Sequence, residues 1–261
     1  MKRIIIFRFD RKVRICQNRL KLIQKFNPNI PIYGMYGGED KDFVKYKKAL
    51  GKYLEFCYCI SGKTRRWKWK NFDLALQDWY KQVGKKIDFD MAYVIEWDLI
   101  LLDSVENLYG HIKEGELGLT NLIQLRKIEK TWSWTTRDPE MSQWAKLYAI
   151  AKSKYRYKQK PFASLGPGFC FPKKFLEKYS KLSLPDLVHD ELRVPLFAQI
   201  LGFKFKDTGF SKSWFDREEH KYFNCMGRKH LIDRNLISKE FMKPKGRRAF
   251  HPFRDYLKLK S

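Results

Sequence analysis

Ile4-Ile5-Ile6-Phe7 is a continuous apolar run rich in β-branched residues, the pattern of a parallel strand buried on both faces. Beyond it stand Asp10 and then Val13, Cys16, Leu20 and Ile23 at steps of three and four. That spacing predicts an amphipathic helix, with Asp10 as its candidate N-cap. The helix is expected to stop near Asn27-Pro28, and 30–36 reads as a second strand closed by Gly37-Gly38. Strand, helix and strand in this order predict an α/β unit.

The same reading continues along the first half. A third strand is expected over 53–60, and a basic, aromatic stretch at 63–70 leads into a helix carrying Phe72, Ala75 or Leu76, Trp79 and Val83 on one face. The strongly apolar 91–95 predicts a fourth strand, interrupted by Glu96-Trp97-Asp98 before apolar residues resume, and 117–125 predicts another. The second half is less regular. Gly166-Pro167-Gly168 predicts a tight turn ahead of a helical patch at 173–179. Residues 190–201 look helical but contain Pro195, which predicts a helix that starts near Pro195 or kinks there. The 243–261 tail is basic and ends in a short amphipathic stretch. With no internal repeat and no linker, the chain is expected to form one α/β domain over 1–261, with a mixed, mostly parallel central sheet flanked by helices.

Composition allows a sizeable core: 261 residues are 44% hydrophobic and 16% aromatic. Lys and Arg number 54 against 29 Asp and Glu, a formal charge of +25. Such a field attracts anions, whether nucleic acid, lipid headgroups or diphosphates, and its spread along the chain does not choose among them. The five cysteines follow no framework or zinc spacing, and Cys57 and Cys59 sit in an apolar run where thiols act as small hydrophobes. The apolar run in MKRIIIFRF is too short for a signal h-region, and no stretch is long enough to span a membrane. A cytoplasmic protein is expected, its basic surface leaving room for peripheral contact with an anionic membrane.

Glu96-Trp97-Asp98 carries the most chemical information. Two carboxylates at i and i+2 of a strand project to one face, and charges are rarely tolerated in so apolar a run unless paired or bound to metal. Ligands gather at the carboxyl ends of strands in open α/β sheets. Carboxylate oxygens there suit Mg²⁺ or Mn²⁺, which also bridge phosphate oxygens.

On Tyr93-Val94-Ile95-Glu96-Trp97-Asp98, the Rossmann-like opening and three later landmarks, the chain resembles the nucleotide-sugar glycosyltransferases of the GT-A fold. The resemblance implies that Asp98 and Glu96 stand where an Asp-x-Asp motif holds a divalent metal on the donor diphosphate, Glu96 replacing the usual first Asp. Gly166, Pro167 and Gly168 are similar to the small-residue turn beneath the acceptor and donor sugar. His189-Asp190-Glu191 resembles the acidic motif that supplies the base in inverting members, with Asp190 the first choice and Glu191 the second. Ala249-Phe250-His251-Pro252-Phe253-Arg254 is similar to the segment that closes over the diphosphate. This likeness casts His251 as a metal ligand and Arg254, with Arg247 and Arg248, as phosphate partners. Arg8, Phe9 and Asp10 fall where the superfamily cradles the nucleoside, and Lys68 falls in the basic stretch at the same end of the sheet. Asp10 serves equally well as a plain N-cap. On this likeness 1–102 is the nucleotide-sugar half, 103–242 the acceptor half and 243–261 a closing segment.

The function so implied is transfer of a sugar from a nucleoside diphosphate to a hydroxyl of a glycan or lipid-linked acceptor, with Mn²⁺ or Mg²⁺ as cofactor and inversion at the anomeric carbon. Two rivals remain. Glu96, Asp98, Asp190 and Glu191 could form the carboxylate cluster of a metal-dependent nuclease, and the +25 charge with interleaved aromatics could mark a nucleic-acid-binding module. Nucleic acid is not the expected partner, because an acidic motif at the end of a central strand would repel it.

Overall fold

The computed structural model describes residues 1–226 and 231–259. The first half alternates strands and helices: β1 (Arg3–Phe9), α1 (Val13–Phe26), β2 (Ile32–Tyr36), α2 (Phe43–Leu50), β3 (Phe56–Cys59), α3 (Arg65–Lys70), α4 (Phe72–Gln82) and β4 (Met91–Glu96). Then come β5 (Ile100–Leu101), α5 (Val105–Leu108), β6 (Leu117–Gln124), α6 (Ser133–Thr136), α7 (Glu140–Tyr155) and β7 (Phe162–Pro172). The chain ends with α8 (Lys173–Ser180), α9 (Asp190–Ile200), β8 (Phe205–Asp207), α10 (Arg234–Met242) and β9 (Ala249–Phe250).

Seven strands form one sheet in the order β3-β2-β1-β4-β7-β6-β8, and β5 pairs with β9 in a separate two-stranded sheet. The β3-β2-β1-β4 half is wholly parallel, β7 runs against both β4 and β6, and β8 is parallel to β6. Every strand of the large sheet but β7 therefore points the same way. This is an α/β architecture with a mixed, mostly parallel, Rossmann-like sheet, as the sequence pattern predicts. The sheet draws strands from both 1–102 and 103–242, so these halves share one framework.

Alternation along the central strands explains why they read as unbroken apolar runs. Ile4 and Ile6 of β1, with Ala92 and Val94 of β4, face a core built with Phe72, Leu76 and Trp79 of α4 and Leu196 and Phe197 of α9. Ile5, Phe7 and Phe9, with Met91, Tyr93 and Ile95, face the opposite core with Cys16, Leu20 and Ile23 of α1. Both faces are covered, so neither set of alternate positions is polar. A third cluster packs Leu22 of α1 on Ile100, Ile237, Phe250, Phe253 and Leu257, docking the C-terminal segment. Buried Arg19 donates to the carbonyls of Phe253 and Asp255, and Asn18 exchanges hydrogen bonds with the backbone of Leu257. Residues 260 and 261 of the predicted tail lie outside the described residues.

Four local expectations are corrected. Asp10 does not cap α1: the helix starts at Val13 after Lys12, whose φ of 38° reverses the chain, and no side chain caps it. Gly166-Pro167-Gly168 is not a turn between elements but the interior of β7. Thr120 pairs with Leu165 and Gly118 with Cys170, so β7 carries extra residues there as a bulge, with Gly168 at φ +84°. Helix α9 runs from Asp190 and carries Pro195 inside it, and does not start at that proline. Glu96 is the last residue of β4, whereas Asp98 lies in the turn beyond it, so the two do not share a strand face. Among the described residues no helix is long and apolar enough to cross a membrane.

Candidate functional site

The carboxyl ends of β1, β2 and β4 open onto a cleft of about 460 Å³, lined there by Arg8 to Arg11, Gly37 and Glu96 to Asp98. From β1 the sheet extends to β2 on one side and β4 on the other. This is the switch point at which open α/β sheets leave room for a ligand. The sequence-predicted site residues line the cleft except Arg247, Arg248 and Gly168, the last of which reaches it through its backbone N–H, 3.3 Å from Glu96 Oε2.

Asp98 and the C-terminal segment meet because β5 and β9 pair antiparallel, Ile100 opposite Phe250. Stepping back from Ile100 to Asp98 thus steps forward from Phe250 toward His251 and Arg254. Phe253 N–H closes this corner on the Asp98 carbonyl at 2.8 Å. Asp98 Oδ2 accepts from Arg254 Nε at 2.9 Å, and Oδ1 stands 3.6 Å from His251 Nε2. Burial would raise the Asp98 carboxyl, but His251 and Arg254 outweigh it and hold the group at about 2. Burial likewise opposes the charge on His251, and Asp98 outweighs it, raising the imidazole. His251 Nδ1 lies 2.7 Å from the Asn224 carbonyl, which fixes Nδ1 as the N–H and turns Nε2 toward Asp98. Among the described residues Arg254 hydrogen-bonds the protein through Nε alone, and no group accepts from its two Nη atoms.

Glu96 is buried beside this corner, with Arg8 Nη1 3.8 Å from Oε1. Burial pushes its carboxyl up to about 7, against the pull of Arg8 and His251. Arg8 is fixed by two backbone carbonyls, Lys68 O at 3.0 Å and Trp69 O at 2.9 Å, and lies over the Phe72 ring. It holds α3 against the end of β1.

The opposite wall is the start of α9. Glu191 is clamped, Oε1 accepting from Gly166 N–H at 2.9 Å and Oε2 from Trp134 Nε1 at 2.7 Å. Asp190 is freer: buried Oδ1 accepts no aligned hydrogen bond, although His189 Nδ1 is 2.7 Å away. Burial would raise Asp190, but the His189 charge and contact outweigh it and lower the carboxyl. His189 is raised in turn, its burial overcome by the charges of Asp190 and Glu191. A β-carbon added to Gly166 would stand 3.8 Å from Asp190 Oδ1, so the bare backbone leaves this carboxylate a narrow approach.

Other expected contacts are already committed within the protein. Lys68 lines the cleft but is buried, its Nζ bonded to Gly38 O and Asp40 Oδ1, both at 2.7 Å. Asp10 Oδ2 is taken by Arg65 Nε and Nη2 at 2.9 and 2.7 Å, while its buried Oδ1 has no hydrogen-bond partner among the described residues. Arg247 pairs with Glu219, and Arg248 donates to backbone carbonyls of Lys243, Arg247 and Glu240; neither lines the cleft, so of the three predicted phosphate arginines only Arg254 faces it.

Sequence reasoning missed Trp132 and Trp134, which enter the cleft from α6 and the residue before it, and the role of His189, whose ring stacks on Trp134 at 4.6 Å. The signal available was the Trp-Ser-Trp run itself, uninterpretable without the contact to α9. It also missed Arg193, fully buried one turn into α9, whose guanidinium spends every N–H on Asp73, Asn71 and the carbonyls of Leu187 and Val188.

Among the described residues no group of three or more His, Cys, Asp or Glu side chains is arranged to hold a metal ion. What the cleft offers is a two-donor edge, Asp98 Oδ1 and the tautomer-fixed Nε2 of His251. That donor set fits a Mg²⁺- or Mn²⁺-type ion only when phosphate oxygens and water fill the remaining positions, the usual manner in which Mg²⁺ is bound. No family model matches this chain, and no curated protein matches it. The fold and cleft define the class: an α/β protein with a Rossmann-like sheet and a buried, mixed-charge cleft at its switch point.

Proposed function

We propose that this protein is a metal-dependent glycosyltransferase that moves a sugar from a nucleoside-diphosphate sugar to a hydroxyl acceptor. The observation that carries the reading is the corner at the end of β4, where Asp98, His251 and Arg254 converge although 153 and 156 positions separate the last two from the first in sequence. Asp98 Oδ1 and His251 Nε2 would hold Mn²⁺ or Mg²⁺. When bound, the ion supplies Lewis-acid stabilisation of the departing diphosphate. Arg254, anchored to Asp98 through Nε, directs its free Nη groups to phosphate oxygens. Glu96, with its carboxyl raised to about 7, exchanges a hydrogen bond with a donor hydroxyl in either protonation state.

Asp190 takes the proton of the acceptor hydroxyl as that oxygen attacks the anomeric carbon. Its lowered carboxyl keeps it ionised; Oδ1 faces His189 Nδ1 at 2.7 Å, and Oδ2 has no hydrogen-bond partner among the described residues, which leaves it for the acceptor. Glu191, clamped on both oxygens, holds the bulge of β7 and Trp134 in place, which makes Asp190 the stronger choice. A base facing the donor across the cleft implies inversion. A cytoplasmic setting, with the acceptor presented at an anionic membrane or free in solution, belongs to the same proposal.

A thermal-shift panel of nucleoside diphosphates and nucleotide sugars, with and without Mn²⁺, tests it. The expected result is stabilisation by a nucleoside diphosphate that needs the metal and vanishes in Asp98→Ala. Stabilisation by DNA or RNA alone, with none from any nucleotide plus Mn²⁺, would contradict it.

A further inference from the structure

The wall of the cleft beside Asp190 combines two features that a stable fold does not require. Trp69 sits at the cleft with 52% of its surface exposed, its ring 4.9 Å from that of His189 and 5.8 Å from that of Trp134. Beneath these rings lies His189, 5% exposed, whose Nε2 has no hydrogen-bond partner among the described residues. Buried polar atoms are nearly always paired, and one left unpaired at a cleft wall calls for an external group. An indole half in water likewise forgoes apolar burial that a ligand can restore.

We propose that Trp69, Trp134 and His189 form a subsite for a carbohydrate ring, so that the acceptor hydroxyl presented to Asp190 belongs to a sugar. This inference rests on the transfer reading given above. One face of a pyranose carries several C–H bonds, slightly positive, which lie well on the negative face of an indole. The ring edge carries hydroxyls, each able to donate and accept, so one of them pairs with His189 Nε2 whichever state the imidazole is in. The neighbouring hydroxyl then falls to Asp190. A hydrocarbon chain on the same wall would leave His189 Nε2 buried and unpaired. A nucleobase would stack but bring no hydroxyl to the base. Trp134 is held in position by its Nε1 bond to Glu191, which makes the platform rigid before ligand arrives.

Saturation-transfer NMR of the full-length protein tests the subsite, with methyl α- and β-glycosides of glucose, galactose, mannose and N-acetylglucosamine as probes. Dodecyl phosphate and adenosine are run beside them. The expected result is transfer from the protein to the ring-face protons of at least one glycoside, with affinity about tenfold weaker in Trp69→Ala. Trp69→Phe should recover part of that loss and His189→Ala should weaken binding again. Trp69 is exposed, so a circular dichroism spectrum and melting temperature close to wild type will show that Trp69→Ala is folded. Signal from dodecyl phosphate or adenosine alone, glycoside binding unchanged in Trp69→Ala, or no glycoside binding at all would overturn the proposal. Glycoside binding that depends on Trp69 in a protein that no nucleotide stabilises with Mn²⁺ would uphold the subsite and remove the transferase reading.

Discussion

Replacing Arg193 by methionine keeps much of the volume and removes the charge, and its effect follows from the contacts of the guanidinium. In the native chain Arg193 is 0% exposed and makes two bonds to Asp73, one to Asn71, and one each to the carbonyls of Leu187 and Val188. Arg193→Met leaves the Asp73 carboxylate buried without its cation, and removal of one partner of a buried pair costs about 3–5 kcal/mol. At roughly 2–4 °C per kcal/mol for a chain of this size, the melting temperature should fall by about 6–20 °C. Because Val188, at φ +55°, directly precedes His189, the loss also frees the segment that delivers Asp190 to the cleft. Urea denaturation read by circular dichroism measures the change as a shift in midpoint at constant slope. In Arg193→Met/Asp73→Ala the stranded charge is gone, so the double variant should lose clearly less than the two single losses added together. A loss under about 1 kcal/mol for Arg193→Met, or strict additivity in the double variant, would refute the reasoning.

Gly168 has φ +84° in the β7 bulge, and a β-carbon there would stand 2.8 Å from the Phe210 ring. Gly168→Ala should therefore destabilise the protein by about 1–3 kcal/mol in the same urea assay, whereas an unstrained alanine would be neutral or stabilising. Asp207, at the end of β8, is held by burial above the ordinary carboxylate range, its bonds from Leu122 and Gly209 N–H only partly offsetting this. A raised native value means the folded state keeps its proton where the unfolded chain has lost it. This increment of stability is present below about 3.9 and is lost as pH rises through the native value. Asp207→Asn should flatten stability across that window; an unchanged pH profile would show that Asp207 titrates normally.

Most of the sheet is legible in the sequence because a parallel strand covered on both faces must be apolar at every position, as at 4–7 and 91–95. The carboxylate of Asp98 is equally visible, as a charge that interrupts such a run. Other features depend on contacts between distant segments. Gly166-Pro167-Gly168 has the composition of a turn, yet the close approach of Glu191 and Phe210 makes it a bulge within β7. Lys12, not Asp10, absorbs the chain reversal before α1, and Asp10 is drawn instead to Arg65. Arg247, Arg248 and Lys68 look like free cations in sequence, but each is committed to a carboxylate or a carbonyl that only the fold brings near. The convergence of His251 and Arg254 on Asp98 depends on the β5–β9 pairing, whose two-residue strands carry no periodic signal.

Isothermal titration of a nucleoside diphosphate into the wild-type protein and Asp98→Asn, each with Mn²⁺ and with EDTA, addresses the central claim most directly. Asp98→Asn keeps the side-chain shape and an acceptor for Arg254 while removing the charge that the ion requires. The account predicts saturable binding in the wild type with Mn²⁺, lost with EDTA and weakened by about tenfold or more in Asp98→Asn. Equal binding with EDTA, or an affinity unchanged by the substitution, would contradict it.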